Sequence, residues 1–304
     1  MSNTLCTSNE SLAAHLSARV EQRLQTLTKS LRESYTDRSI DTVHDLRVAS
    51  RRLRAFVLVF RDVLGEKAQA RLEKKLKRVT KAVGALRDLD VLVGLVEGRS
   101  AGADSELERA AIEYLLEHLE KRRVKVAAAA EARLKDLDTG SLSRRMRRAA
   151  RDVIASLSPP EAQRAYARRL LERLILDASQ QKLPADGTVQ AAELHRLRID
   201  IKKIRYALEL FEPVLGEHFE TLYERATALQ ELLGKHHELT VLGELVAKRA
   251  AKLEQKHRNT LSTGLQRAAA ALAADQQAVS ERFAERAFDP DWWRSELKEA
   301  LEPN

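Results

Sequence analysis

The residues best suited to chemistry lie in one stretch, VHDLRVASRRLRAFVLVFRDVLG, from Val43 to Gly65. His44, Arg47, Arg51 and Arg54 follow one another at spacings of three and four. On a helix of 3.6 residues per turn that spacing places them on one side, rising about 1.5 Å per residue. Leu46, Leu53, Phe56, Val57, Phe60, Val63 and Leu64 gather on the other side, and Arg52 adds a further cation. Guanidinium groups present forked donors to phosphate oxygens, and an imidazole adds another donor. A single exposed contact at about 4 Å is worth about 1 kcal/mol in water and about 4 kcal/mol in a shielded groove. The pattern therefore has force as a row, suited to an anion that repeats its charge along a chain.

The stretch recurs 151 residues later as LHRLRIDIKKIRYALELFEPVLG, from Leu194 to Gly216. His44 returns as His195, Arg47 as Arg198, Arg51 as Lys202, Arg52 as Lys203 and Arg54 as Arg205, with Tyr206 beside it. Phe60 returns as Phe211 and Gly65 as Gly216. A second pair of blocks, GALRDLDVLVGLV from Gly84 and GKHHELTVLGELV from Gly234, follows at an offset of 150. Folding alone requires only the apolar face to be repeated. Like charges crowded on the outward face oppose folding, so their repetition points to binding. The copies are not identical. Glu209 and Glu212 stand where the first copy has Leu58 and Arg61, and His237 replaces Arg87, so the second copy is expected to bind more weakly. Tyr206 can offer its hydroxyl to phosphate or simply pack, and Asp88 and Glu238 are expected to orient neighbouring cations.

Other chemistries fit less of the chain. His44-Asp45-Leu46-Arg47 superficially resembles a histidine phosphoacceptor site, which leaves the arginine row and its duplicate unexplained, and no Gly-rich ATP loop accompanies it. A hydrolase would need a nucleophile and base set that is not visible, so no enzyme activity is expected. His236, His237 and Glu238 are adjacent, and adjacent helical positions face apart, so no metal site is expected there, and no cofactor. The net charge of +8, from 53 basic and 45 acidic residues, permits nonspecific nucleic-acid binding. Aromatic residues make up only 4%, which disfavours base stacking. Phosphotransfer and nucleic-acid binding stay open as alternatives.

The elements that hold this row are helices. Glycine (11) and proline (6) are sparse, hydrophobic residues reach 44%, and no alternating strand pattern is found. Ser11 is placed to cap a helix ending near Ser34, and Asp41 or Thr42 to cap the organising helix, which Gly65 would end. A third helix turns Lys74, Arg78 and Lys81 outward, a turn is expected from Gly98 to Gly102, and a fourth helix follows to about Leu137. After Asp138-Thr139-Gly140 comes a short arginine-rich helix. Pro159-Pro160 then punctuates the chain near its middle. Helices over about 161–180, 217–246 and 252–286 surround the second copy. The expected organisation is all-α, with two pseudo-symmetric four-helix bundles from an internal duplication. It comprises a flexible tail over 1–10, halves over 11–157 and 158–286, and a C-terminal helical tail over 287–304 that docks through Trp292 and Trp293. Cys6 stands alone, the first residues lack a secretory pattern, and the longest apolar runs, such as Ala55–Phe60, fall far short of a membrane span. A cytoplasmic protein is expected.

HDLRVASRRLRA, HRLRIDIKKIRYALELF and the blocks at Gly84 and Gly234 resemble the CHAD family, the conserved histidine α-helical domain, with the repeat covering about residues 11–286. The resemblance implies two four-helix bundles around a basic central groove or pore that binds inorganic polyphosphate. It also implies association with polyphosphate or other storage granules. Carried over, His44, Arg47, Arg51, Arg52, Arg54, His195, Arg198, Lys202, Lys203, Arg205 and Tyr206 would contact the polyanion. Arg19, Arg23, Lys74, Arg78, Lys81, Arg164 and Arg168 are secondary candidates. The ExExK strand of the triphosphatase domain fused to many family members is not visible, so that activity is not carried over.

Overall fold

A computed structural model describes residues 11–34, 39–100, 105–135, 137–181, 191–286 and 288–302. The expected tail at 1–10, the far end of the turn at Gly102 and the loop KLPADGT lie outside them. The described residues form helices α1 (Leu12–Glu33), α2 (Ile40–Val59), α3 (Arg61–Leu64), α4 (Glu66–Ser100), α5 (Glu106–Leu134) and α6 (Thr139–Ser156). They continue with α7 (Pro160–Ser179), α8 (Ala191–Leu215), α9 (His218–Glu254), α10 (Asn259–Glu285) and α11 (Pro290–Leu301). The protein is all-α, as the composition and periodicity indicate.

Ser11 caps α1, accepting from the Ala14 N–H at 3.3 Å. The cap of α2 is Ser39, which accepts from the Thr42 N–H, instead of Asp41 or Thr42. The expected turn at Gly98 is absent, because α4 runs through that glycine to Ser100. A lone helical glycine costs only about 1 kcal/mol, which tertiary packing readily offsets.

The two copies of the organising stretch end differently. α2 breaks at Phe60 and gives way to α3, after which Gly65 turns the chain at φ 69°. α8 runs on to Leu215 with Pro213 inside it, before Gly216 turns at φ 55°. Pro213 has no N–H to give the carbonyl of Glu209. The His15 side chain on α1 donates to that oxygen instead, Nε2 at 2.9 Å. In the first copy the N–H groups of Val63 and Leu64 both turn to Phe60 O, and the Tyr166 hydroxyl on α7 donates to Val59 O at 2.8 Å. A side chain from one half thus satisfies the interrupted helix of the other, and His15 and Tyr166 are themselves 151 residues apart.

Neighbouring helices follow a matching order in the two halves. α1 packs on α2, α2 on α4 and α4 on α5, while α7 packs on α8, α8 on α9 and α9 on α10. The apolar core nevertheless does not divide at Pro159-Pro160. One cluster joins α1, α2, α6, α7, α8 and α11 with the first parts of α4 and α9. The other joins the distal parts of α4 and α9 to α5 and α10. Phe60 meets its counterpart Phe211 with ring centroids 5.6 Å apart, and the Tyr166 ring touches both. α11 docks as expected, with Trp293 buried against Phe288 and Arg225 lying 4.2 Å over the Trp292 ring. No helix among the described residues is long and apolar enough to cross a membrane.

Tyr166→Phe keeps the ring packing but strands the Val59 carbonyl. Its unfolding free energy in urea is expected to fall by about 1–3 kcal/mol. An unchanged value would show that this carbonyl finds another donor.

Candidate functional site

α2 and α8 lie directly against each other, and the basic faces of the two copies converge between them. Arg51 places its guanidinium 5.5 Å over the ring of Tyr206, and Arg205 stacks on the same ring at 5.4 Å. Burial, followed by Arg198, Arg51, Arg47 and Arg205, pushes the Lys202 ammonium down to about 7. Arg198 and Arg51 are likewise held below the ordinary arginine value, first by burial and then by neighbouring charges that include Arg47. Two of these cations lie close enough to their own repeat counterparts to feel their charge, Arg198 that of Arg47 and Lys202 that of Arg51.

Local structure holds Arg47 in place. Its Nη1 donates to the Gly84 carbonyl at 2.9 Å and its Nη2 reaches Asp88 at 3.0 Å. A Cβ at position 84 would stand 3.1 Å from Nη1, so glycine there lets the guanidinium come close to α4. Asp88 thus orients a cation as expected, and Glu238 lies near enough to Arg198 to favour its charge. Arg51, Arg198 and Lys202 have no ion-pair partner among the described residues. The buried Nε–H groups of Arg51 and Arg198 and the hydroxyl of Tyr206 have no hydrogen-bond partner among the described residues either.

His44 and His195 are both exposed beside this cluster. Burial and then Arg87 push the His44 imidazole below its ordinary value, which favours its uncharged form. The His195 ring lies 4.8 Å from that of His237. His237 is held down at about 4 by burial, Arg198 and His195. His236, the next residue, is buried on the other side and meets Gln276, so the adjacent histidines do face apart.

The remaining candidates divide into two groups. Arg52 turns to Glu209 at 3.1 Å, where Arg205 also arrives at 3.8 Å and the Tyr223 hydroxyl at 3.0 Å. Arg19 pairs with Glu212 at 2.8 Å, and Arg19 and Arg23 join Arg52, Tyr206 and Glu209 around a small cavity. The second copy's carboxylates therefore pair with first-copy cations.

The other group is directed elsewhere. Arg54 bonds Glu73 on α4, and Lys203 bonds Asp200 on its own helix. Arg78 donates to the Arg133 carbonyl, and Arg168 to the Leu301 carbonyl, tying α7 to α11. Arg164 lies near Glu161 and lines a surface cavity beside α11, and Lys74 and Lys81 are exposed on α4. These seven serve helix packing or open surface, because one helix face cannot aim every cation at one neighbour. Arg87, His237 and Tyr223 are additions. The first two occupy matched positions in the blocks at Gly84 and Gly234, but nothing local marks Tyr223.

Lys202 also carries a stability signature. A lysine depressed to about 7 destabilises the fold while protonated, below about pH 7. The penalty fades between about pH 7 and 10, where the native amine is neutral and the unfolded one still charged. Lys202→Met is therefore expected to raise Tm by a few degrees at pH 6 and by less at pH 9. Calorimetry at the two pH values checks this, and an equal shift at both would contradict the assignment.

Comparison with known proteins places this geometry. No curated protein matches the chain. The structure is similar to the crystal structure of the CHAD domain from the plant Ricinus communis, at 24% identity and TM-score 0.65, covering 94% of this chain and 91% of that one. It is also similar to PptA from Streptomyces chartreusis, at 17% identity and TM-score 0.62, covering 90% of this chain and 96% of that one. The CHAD domain family matches residues 18–247, a span that contains both basic helices and the cleft between them. The chain belongs to the CHAD domain family.

Proposed function

We propose that the cleft between α2 and α8 binds inorganic polyphosphate and that the protein does so without catalysing its turnover. The observation that carries this reading is the packing of Arg51, Arg198 and Lys202 beside Arg47 and Arg205, with no ion-pair partner for the first three among the described residues. Crowded, partly desolvated cations lower the stability of the ligand-free fold. A flexible chain of phosphates relieves that repulsion at every contact and releases its counterions. Family membership supports the same ligand class. By this reading the protein is cytoplasmic and is drawn to polyphosphate granules.

Nucleic acid would offer the same phosphate charge but also needs surfaces for its bases. Both guanidiniums of Arg51 and Arg205 lie over the ring of Tyr206, which removes that ring as a stacking platform. This favours an anion without bases.

Binding is checked by titrating polyphosphates of increasing length at two salt concentrations, with single-stranded DNA as competitor. Replacing Arg51, Arg198 and Lys202 together with alanine is expected to abolish tight binding while helix content is kept. Any residual binding should lose about 2 from the slope of log K against log salt, from three fewer phosphate contacts at about 0.7 each. Equal affinity in the triple variant, or displacement by DNA at equal phosphate concentration, would overturn the reading.

Binding is also expected to take up a proton. The free Lys202 amine loses its proton above about pH 7, and an adjacent polyanion restores it. Affinity should therefore fall as pH rises from 7 to 9. Calorimetry in buffers of different ionisation enthalpy reads the proton directly, and its absence would remove Lys202 from the site.

A further inference from the structure

Far from the basic cleft in role and in charge, the C-terminal helix meets the start of α9 through a cluster of the opposite sign. His218 is the first residue of α9, and its Nδ1 lies 2.9 Å from Oε1 of Glu296 on α11. Glu299 stands one turn further along α11, three residues on and therefore on the same face. Ligand atoms of His218, Glu296 and Glu299 all lie within 4.8 Å of one another. Glu299 has no ion pair among the described residues, so two carboxylates share one small space with only an imidazole between them. The imidazole hydrogen bond accounts for Glu296 but leaves the repulsion from Glu299 unanswered.

The surroundings add oxygen donors. A surface cavity of about 370 Å³ opens beside the cluster, lined by His218, Glu299, Glu217 and Glu302, with Arg164 as its cation. Acidic lining stands out in a chain of net charge +8. The donor set is one imidazole nitrogen and two carboxylates from two helices, open on the cavity side. That combination suits a borderline divalent transition ion, which takes three protein ligands and keeps one position for water. Zinc bonds of about 2.0–2.2 Å need donor separations of about 3.4 Å, so His218 and Glu296, at 2.9 Å, must part slightly and the 4.8 Å spread of the site must shrink by roughly an ångström. The exposed Glu299 side chain has the freedom to do so.

We propose that His218, Glu296 and Glu299 form a binding site for a divalent transition ion of the zinc type, which pins α11 to the first turn of α9. The carboxylates then face a cation instead of each other, and the docking already made by Trp293 and by Arg168 at the Leu301 carbonyl is reinforced. This site shares no residue with the basic cleft, so the two assignments stand or fall separately.

The test uses the full-length, untagged protein in buffer free of polyphosphate and phosphate. Zn²⁺ is titrated by calorimetry and Tm is recorded with and without the ion, with Mg²⁺ as the hard-ion comparison. One Zn²⁺ per chain and a raised Tm are expected, with no comparable effect of Mg²⁺. Glu299→Gln removes an exposed carboxylate and its repulsion with Glu296, so the metal-free Tm should hold or rise while Zn²⁺ affinity falls by more than about 10-fold. His218→Asn should show the same loss, and His195→Ala, which alters the exposed histidine at the cleft, should keep the site. Absence of stoichiometric Zn²⁺ binding, its survival in both Glu299→Gln and His218→Asn, or its loss in His195→Ala would overturn the proposal.

Discussion

The structure depends on like charges being made to meet. Phe60 touches Phe211, its own repeat counterpart, and this contact seats α2 directly on α8. When matched segments pack face to face, a residue near their shared axis meets its own equivalent. For an apolar residue that is ideal, since each ring fills the space beside the other. For a cation it is unfavourable, because Arg47 is brought to Arg198 and Arg51 to Lys202. No exchange of charge between matched positions can cure this, as both copies carry the same sign. The protein therefore carries built-in repulsion between its two copies.

Several local features limit that repulsion without removing it. Asp88 takes Arg47, and Glu209 gathers Arg52, Arg205 and Tyr223. Cation–π contacts with Tyr206 give two guanidiniums an electron-rich surface, and one of them, Arg51, has no ion-pair partner among the described residues. Lys202 finds none of these aids among the described residues, and its amine yields its proton near neutrality instead. The asymmetry between copies matters here. Glu209 and Glu212 belong to the second copy yet bind Arg52 and Arg19 of the first, so a change in one repeat adjusts the charge of the other.

The scaffold must hold these groups rigidly, and it does so by crossing between halves. His15 and Tyr166 each donate to a carbonyl freed by an interruption in the opposite copy's helix. The apolar clusters also draw from both halves. Separation of the halves would strand buried carbonyls and open both cores together. Such coupling suits a cleft whose lining repels itself, because local opening to relax the charges would cost packing throughout the molecule.

Much of this was legible in the chain. The spacing of His44, Arg47 and Arg51, their return at His195, Arg198 and Lys202, and the apolar positions between them determined the helices, their buried faces and the existence of a repeated cationic face. Periodicity acts through neighbours three and four residues apart, and a sequence states those directly. The tertiary structure decided which cations share the cleft. It sent Arg54 to Glu73, Lys203 to Asp200 and Arg168 to the C-terminal helix, and it brought Tyr223 and the glutamates of one copy to the arginines of the other. It also placed His218 against Glu296, 78 positions away. Partners so distant in the chain meet only through the packing of several helices at once, and no local pattern records that packing.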